Sequence, residues 1–246
     1  LSKKGIDKKI KVKGTGCLGP CSKGPAIVLK KAGYFYQKMQ LADIDEFIDT
    51  QLIKGEPMER LLHISDEDGK PQASVQDIRF FKDQTKIVLR RCGEIYPTSI
   101  RDYISAGGYQ ALSKVLENAS PQNVIDEMKK SGLRGRGGAG FPTYMKWDFA
   151  RKEEADQKYI LCNADEGDPG AYMDRSILEG DPHSIIEGMA IGAFTIGASQ
   201  GYIYCRAEYP LAIKRLNIAL DQARAYGLLG QNIFSTGFDF DIGIYQ

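Results

Sequence analysis

The chain of 246 residues is short of several things, and each shortage excludes a class of protein. It has no long hydrophobic run: the best stretch, 185–198, contains Glu187 and falls short of the ~20 residues that a helical membrane span needs. It has no charge of one sign in excess, with 33 Lys plus Arg against 32 Asp plus Glu, which argues against a dedicated nucleic-acid or membrane-surface binder. The first residues, LSKKGIDKKIKV, offer lysines but no apolar core and so do not form a secretory signal. Histidine is scarce, with only His63 and His183, both isolated. Five cysteines, of which only Cys17 and Cys21 are neighbours, do not make a disulfide scaffold and fit a reducing compartment, the cytoplasm. No nucleophile stands beside an identifiable base, so hydrolytic catalysis has little support.

What is present is ordinary for a globular chain of one or two domains: 42% hydrophobic residues and 27 glycines. Alternation predicts strands over 8–13, 26–29 and 33–39, followed by a helix over 43–52 that ends at Gly55. The polar stretch 64–77 reads as a linker, dividing the chain into 1–63 and 78–246. Beyond it a short strand is expected at 86–89, then helices at 97–107, 108–118 and 121–131, the last with Ser120 as its cap, Pro121 at its first position and Gly132 after its end. A strand over 159–162, a helix from Pro182 to about 198, a strand over 202–205, a helix over 210–226 and an alternating segment from Phe238 complete the series. Strands alternating with helices predict an α/β fold.

Two loops hold the unusual chemistry. Five of the nine residues 132–140 are glycine, and Gly135, Gly137 and Gly140 satisfy G-x-G-x-x-G. Bare backbone admits a ligand closely and its amides can hold an anion, with Arg134, Arg136 and Lys146 adding positive charge. A dinucleotide fold of the usual Rossmann kind needs this motif between a strand and a helix; here it follows a helix, so that fold is rejected, and the choice left is a phosphate or nucleotide loop against a flexible surface loop. The second loop carries Asn163, Asp165, Glu166 and Asp168 just past the strand over 159–162, where ligands of open α/β sheets bind. Its carboxylates suit ribose hydroxyls and its Asn amide a heterocycle edge; a solvated turn is the alternative. Phe141, Tyr144, Trp147 and Phe149 flank the glycine loop and suit either a flat ring or core packing, the latter preferred for Trp147. Cys17-x-x-x-Cys21 offers half of a four-thiolate cluster site, with a redox disulfide or two idle thiols as rival readings. Cys162 and Cys205, in apolar strand-like runs, read as small buried hydrophobes.

The pair SGLRGRGGAGFPTYMKW and YILCNADEGDPGAYMDR, with YIYCRAEYPLAIKRL after it, resembles the flavin-bearing, NADH-oxidising subunit of respiratory NADH:quinone oxidoreductase and its relatives in soluble NAD-linked and electron-bifurcating hydrogenases. The first 60 residues, with GCLGPCSKGPAIVL, resemble the later half of the thioredoxin-like [2Fe-2S] domain fused to the hydrogenase-type members. The resemblance implies a partial thioredoxin-like ferredoxin domain, then an α/β domain binding FMN and NAD(H). Carried over by matching position, the implied FMN contacts are Gly135, Arg136, Gly137, Lys146, Asn163, Asp165 and Glu166. The implied NAD contacts are Phe141, Phe149, Glu166 and Asp168, with Asp168 standing where the family commonly has Glu. Cys17 and Cys21 become ligands of the [2Fe-2S] cluster, its other cysteines expected just before Leu1. The family's glycine-glutamate-glutamate motif and its [4Fe-4S] cysteines are expected after Gln246, which makes the chain a fragment cut at both ends. Implied partners are the other subunits of a hydrogenase or dehydrogenase complex, and ferredoxin. The rival from another class is an electron-transfer module that docks such partners without flavin chemistry of its own.

Overall fold

The computed structural model describes residues 1–65, 68–72 and 74–246. Contacts divide the chain into two units: Leu1–Val12 with Leu18–Ile87, and Lys13–Cys17 with Val88–Gln246.

In the first unit, β1 (Ile27–Leu29) and β2 (Tyr34–Tyr36) form an antiparallel hairpin in which Ile27 faces Tyr36 and Leu29 faces Tyr34. Helix α1 (Ile44–Phe47) widens into π-type turns over Ile48–Lys54 and stops at Gly55, whose φ of 81° suits glycine. Tyr36, Met39, Phe47, Met58, Leu61 and Leu62 make the core, with the Tyr36 and Phe47 rings edge to face at 5.2 Å. The hydroxyl of Tyr36 donates to Gln51 Oε1. A second pair, β3 (His63–Ile64) with β4 (Pro71–Gln72), occupies part of the expected linker 64–77; positions 66, 67 and 73 lie outside the described residues. Helix α2 (Arg79–Lys82) follows. The strands expected at 8–13 and 86–89 are not formed. Neither segment joins a sheet among the described residues, and Val12, Ile87 and Val88 are exposed.

The second unit runs through α3 (Ile100–Ser105), α4 (Gln110–Asn118), α5 (Pro121–Ser131), α6 (Thr143–Lys152), β5 (Tyr159–Ala164), α7 (Met173–Gly180), α8 (Pro182–Ile196), β6 (Gln200–Cys205), α9 (Pro210–Ala225), β7 (Gly230–Ile233) and β8 (Phe238–Tyr245). The strands line up β5-β6-β8-β7, parallel except for the edge strand β7. This is an α/β arrangement. Helix α5 starts as expected: Ser120 Oγ accepts from the Asn123 amide at 3.2 Å, and Asn123 Oδ1 accepts from the Ser120 amide at 2.9 Å.

The pleat sorts the sheet. Ile160, Gly201 and Ile242 share one row, and Cys162, Ile203 and Ile244 the next, all turned toward α8 and the core. Helix α8 is apolar nearly all round because it lies among sheet, α4, α5, α6 and α9. Trp147 packs against this core, as does Cys162, while Cys205 is fully buried. On α8, Gly192 leaves room for its neighbours: a Cβ there would sit 2.4 Å from Ile160 Cδ1 and 3.2 Å from the Trp147 ring, so the Ile160 side chain would have to shift. The opposite face carries Tyr159, Leu161 and Asn163 on β5, Tyr202 and Tyr204 on β6, and Tyr245 on β8; no helix of the second unit covers it, and Leu161 is 70% exposed.

Candidate cofactor site

The glycine loop joins α5 to α6 and closes at its neck. Leu133 O accepts from the Thr143 amide at 3.1 Å, and Phe141 O from the Gly135 amide at 2.8 Å. Arg134 donates back to Gly140 O at 2.9 Å, so its charge braces the loop. Gly138 and Gly140 have φ of 97° and 62°, a left-handed backbone that side chains resist. A Cβ at Gly137, Gly138 or Gly140 would meet no protein atom within 4 Å, so the space above these glycines is open. Arg136 and Lys146 are exposed and make no ion pair among the described residues. On α6, Lys146 and Phe149 are three positions apart on the outer side, while Trp147 and Ala150 turn inward. Phe141 and Phe149 both present exposed rings.

The acidic loop leaves the carboxyl end of β5. Because β5 and β6 are parallel, with Ala164 opposite Cys205, the residues that follow each strand become neighbours. Arg206 donates to Glu166 O at 2.6 Å and lies 3.7 Å from the Asp165 carboxylate. The Glu166 side chain is already engaged: Oε1 accepts from the Asp174 amide at 3.0 Å, and Oε2 from the Arg175 amide at 3.1 Å and the Tyr209 hydroxyl at 3.2 Å. Those amides are the second and third of α7, so Glu166 caps that helix, and its charge faces the positive end of the helix dipole. Asn163 Oδ1 accepts from the Asp165 amide at 3.2 Å, and its exposed amide nitrogen bonds no other described residue. Asp168 is exposed without an ion pair among the described residues. Burial, then the neighbouring Glu166 charge, raises the Asp174 carboxyl above its ordinary value. Burial pushes the Cys162 thiol up to about 11, so it is no thiolate at neutral pH.

The model of one family, the Nuo51 FMN-binding domain, matches residues 128–244, which hold both loops and the four-stranded sheet to within its last residue. Residues 128–244 are similar to a Nuo51 FMN-binding domain. This chain is 63% identical over 161 residues to NADP-reducing hydrogenase subunit HndC of Solidesulfovibrio fructosivorans, covering 65% of this chain and 32% of that one. It is 47% identical over 165 residues to an NADH-quinone oxidoreductase subunit of Aquifex aeolicus (strain VF5), covering 67% and 38%. The matched stretch thus spans about a third of these relatives' length. A crystal structure of NAD+-reducing [NiFe]-hydrogenase in the H2-reduced state shares the fold, at 24% identity and a TM-score of 0.50, over 94% of this chain and 35% of that one.

The chemistry of residues 128–244 suits the family they match: an open glycine cradle beside two unpaired cations fits a phosphate, and the free Asn163 amide fits a ring edge. No hydrogen bond or ion pair joins the two loops among the described residues. Sequence reasoning missed Arg206 and Tyr209, about 40 residues beyond Glu166. The one available signal was that parallel neighbours bring their carboxyl ends together, which makes the first residue after β6 a candidate. Cys21 lies exposed in a single helical turn, Cys21–Lys23, with its thiol 3.4 Å from Gly19 O. Cys17 groups with the second unit and Cys21 with the first. Among the described residues no three His, Cys, Asp or Glu side chains are placed to hold a metal ion.

Proposed function

We propose that the whole protein is an NADH-oxidising flavoprotein subunit, transferring hydride between NAD(H) and FMN, in a soluble, cytoplasmic, multi-subunit hydrogenase-type complex. The observation that carries this reading is the open glycine cradle with unpaired Arg136 and Lys146, inside the stretch that matches the Nuo51 FMN-binding domain. The names of the relatives, an NADP-reducing hydrogenase subunit and an NADH-quinone oxidoreductase subunit, support a nicotinamide-linked subunit of a larger complex, with either NAD(H) or NADP(H) as the dinucleotide. Bound FMN would supply two-electron acceptance from the nicotinamide and single-electron release to iron–sulfur clusters.

The chain's own part is binding and orientation. Gly135 and Gly137 leave room for the phosphate, and Arg136 and Lys146 neutralise it. Asn163 and Asp165 address the ring edge and ribityl hydroxyls. Phe141, Phe149, Glu166 and Asp168 hold the dinucleotide, the rings by stacking and the carboxylates by accepting from ribose. No side chain need move a proton to the nicotinamide, because stacking sets the distance. Residues 1–63 are read as part of a thioredoxin-like [2Fe-2S] domain, 64–77 as a linker and 78–246 as the start of the FMN/NAD(H) domain. Cys17 and Cys21 would contribute two of four cluster thiolates, with [4Fe-4S] ligands lying further along the protein. The partners are the other subunits of the complex, and ferredoxin as a carrier.

The test is an anaerobic absorption spectrum of the full-length protein, before and after one equivalent of NADH. Flavin bands that bleach with NADH are expected. Iron–sulfur absorption without flavin would replace this reading with that of an electron-transfer module.

A further inference from the structure

Glu166 is assigned above to the cofactor site, yet most of its acceptor capacity is spent on the protein. A carboxylate offers about four lone-pair sites. Oε2 takes two donors, the Arg175 amide and the Tyr209 hydroxyl, and Oε1 takes one, the Asp174 amide. One acceptor position on Oε1 is left. The group is therefore a fixed anion with a single free direction.

Two residues on the turn between β6 and α9 hold it so. Arg206, with about a quarter of its side chain exposed, donates to the Glu166 carbonyl and faces Asp165. Tyr209, 9% exposed, fixes the carboxylate itself. The Arg206 and Arg175 guanidiniums each lie 5.6 Å from the centre of the Tyr209 ring, which keeps the ring in place. The phenol, the guanidinium and the start of α7 thus meet on the one acidic loop.

We infer that Arg206 and Tyr209 are positioning residues: they lock the acidic loop so that Glu166 presents one oriented acceptor to the bound flavin. This rests on the FMN reading of the site. The phenol and the guanidinium act through Glu166 and touch no cofactor atom themselves. A preorganised acceptor loses no rotamer freedom when the ligand arrives, which is where the gain in affinity comes from.

The experiment uses full-length protein stripped of FMN, and reads the dissociation constant for added FMN from quenching of its fluorescence. Tyr209→Phe keeps the ring and removes the one hydroxyl; it is expected to weaken FMN binding about tenfold, as for loss of a hydrogen bond to a charged group. Arg206→Gln is expected to weaken it at least as much, with Arg206→Lys recovering part. The deciding measurement is a double-mutant cycle: in a Glu166→Gln background, Tyr209→Phe should have little further effect. An equal effect of Tyr209→Phe in both backgrounds would mean that the phenol does not act through Glu166, and overturns the inference. Wild-type FMN affinity in Tyr209→Phe and Arg206→Gln, beside a weakened Glu166→Gln, overturns the clamp and leaves the site reading intact. Wild-type affinity in Glu166→Gln removes the residue from the site, and the inference with it.

Discussion

Glu187 shows what a single buried charge can organise. It is 7% exposed, on α8, and accepts from the Tyr103 hydroxyl at 2.5 Å, the Tyr109 amide at 2.9 Å and the Leu112 amide at 3.2 Å. The two amides open α4, so a carboxylate from one helix caps another. Glu187→Gln puts an NH2 against these donors and should cost about 2–3 kcal/mol, measured as a lowered midpoint in urea at constant slope. One turn earlier, His183 bonds the Tyr109 hydroxyl at 2.8 Å and Gln222 at 3.2 Å, and burial lowers its pKa from the ordinary 6.5 to about 4. The folded protein keeps this imidazole neutral, whereas the unfolded chain protonates it below 6.5. Its contribution is therefore intact above pH 6.5 and is lost as the pH falls toward 4, about 3 kcal/mol over that window. Unfolding of His183→Gln across pH 4–7 should show a flatter acid limb than the parent. The sequence shows His183 only as an isolated histidine; its partners, 74 and 39 residues away, cannot be read there.

At the scale of elements, legibility followed local punctuation. Helix α5 has its cap, its proline and its terminal glycine within the segment Ser120 to Gly132, and α8 and α9 each open on a proline. Ser120→Ala should lower the unfolding free energy by about 1 kcal/mol, in the same urea assay. Helix α7 has no side-chain cap of its own; its start is set by Glu166, seven residues ahead of Met173, and the sequence pattern passed over it. Strand β7, GQNI, has no alternation and exists because β8 pairs with it. The same rule in reverse explains the false strands at 8–13 and 86–89, which join no sheet among the described residues. In the site, residue types marked both loops, and the Arg206–Tyr209 turn stayed hidden because only the parallel register brings it there. Helix α8 also depends on a small residue at one contact: Gly192→Leu should displace Trp147 and Ile160 and destabilise the second unit by about 1–3 kcal/mol, visible as a red-shifted Trp147 emission on earlier unfolding.

At the scale of the whole chain, the contact units do not follow the chain order: Lys13–Cys17 belongs with the second unit. Lys13 Nζ lies 2.5 Å from the Asp102 carboxylate, and a Cβ on Gly16 would sit 2.5 Å from the Gly180 Cα. Such a backbone-to-backbone approach leaves no mark in a linear reading, which places the boundary at one linker.

The uncovered side of the sheet has a practical meaning for these 246 residues in the test tube. Tyr159, Leu161, Tyr204 and Tyr245 form a wall of rings and methyls against water, next to the unpaired rim of the edge strand β5. Two such walls meeting should stick, so turbidity on warming should rise steeply with protein concentration, as for a bimolecular event, and not follow the unfolding curve. A charge at the centre, Leu161→Lys, should raise the scattering onset temperature and lower binding of a hydrophobic dye, while the circular dichroism stays that of the parent.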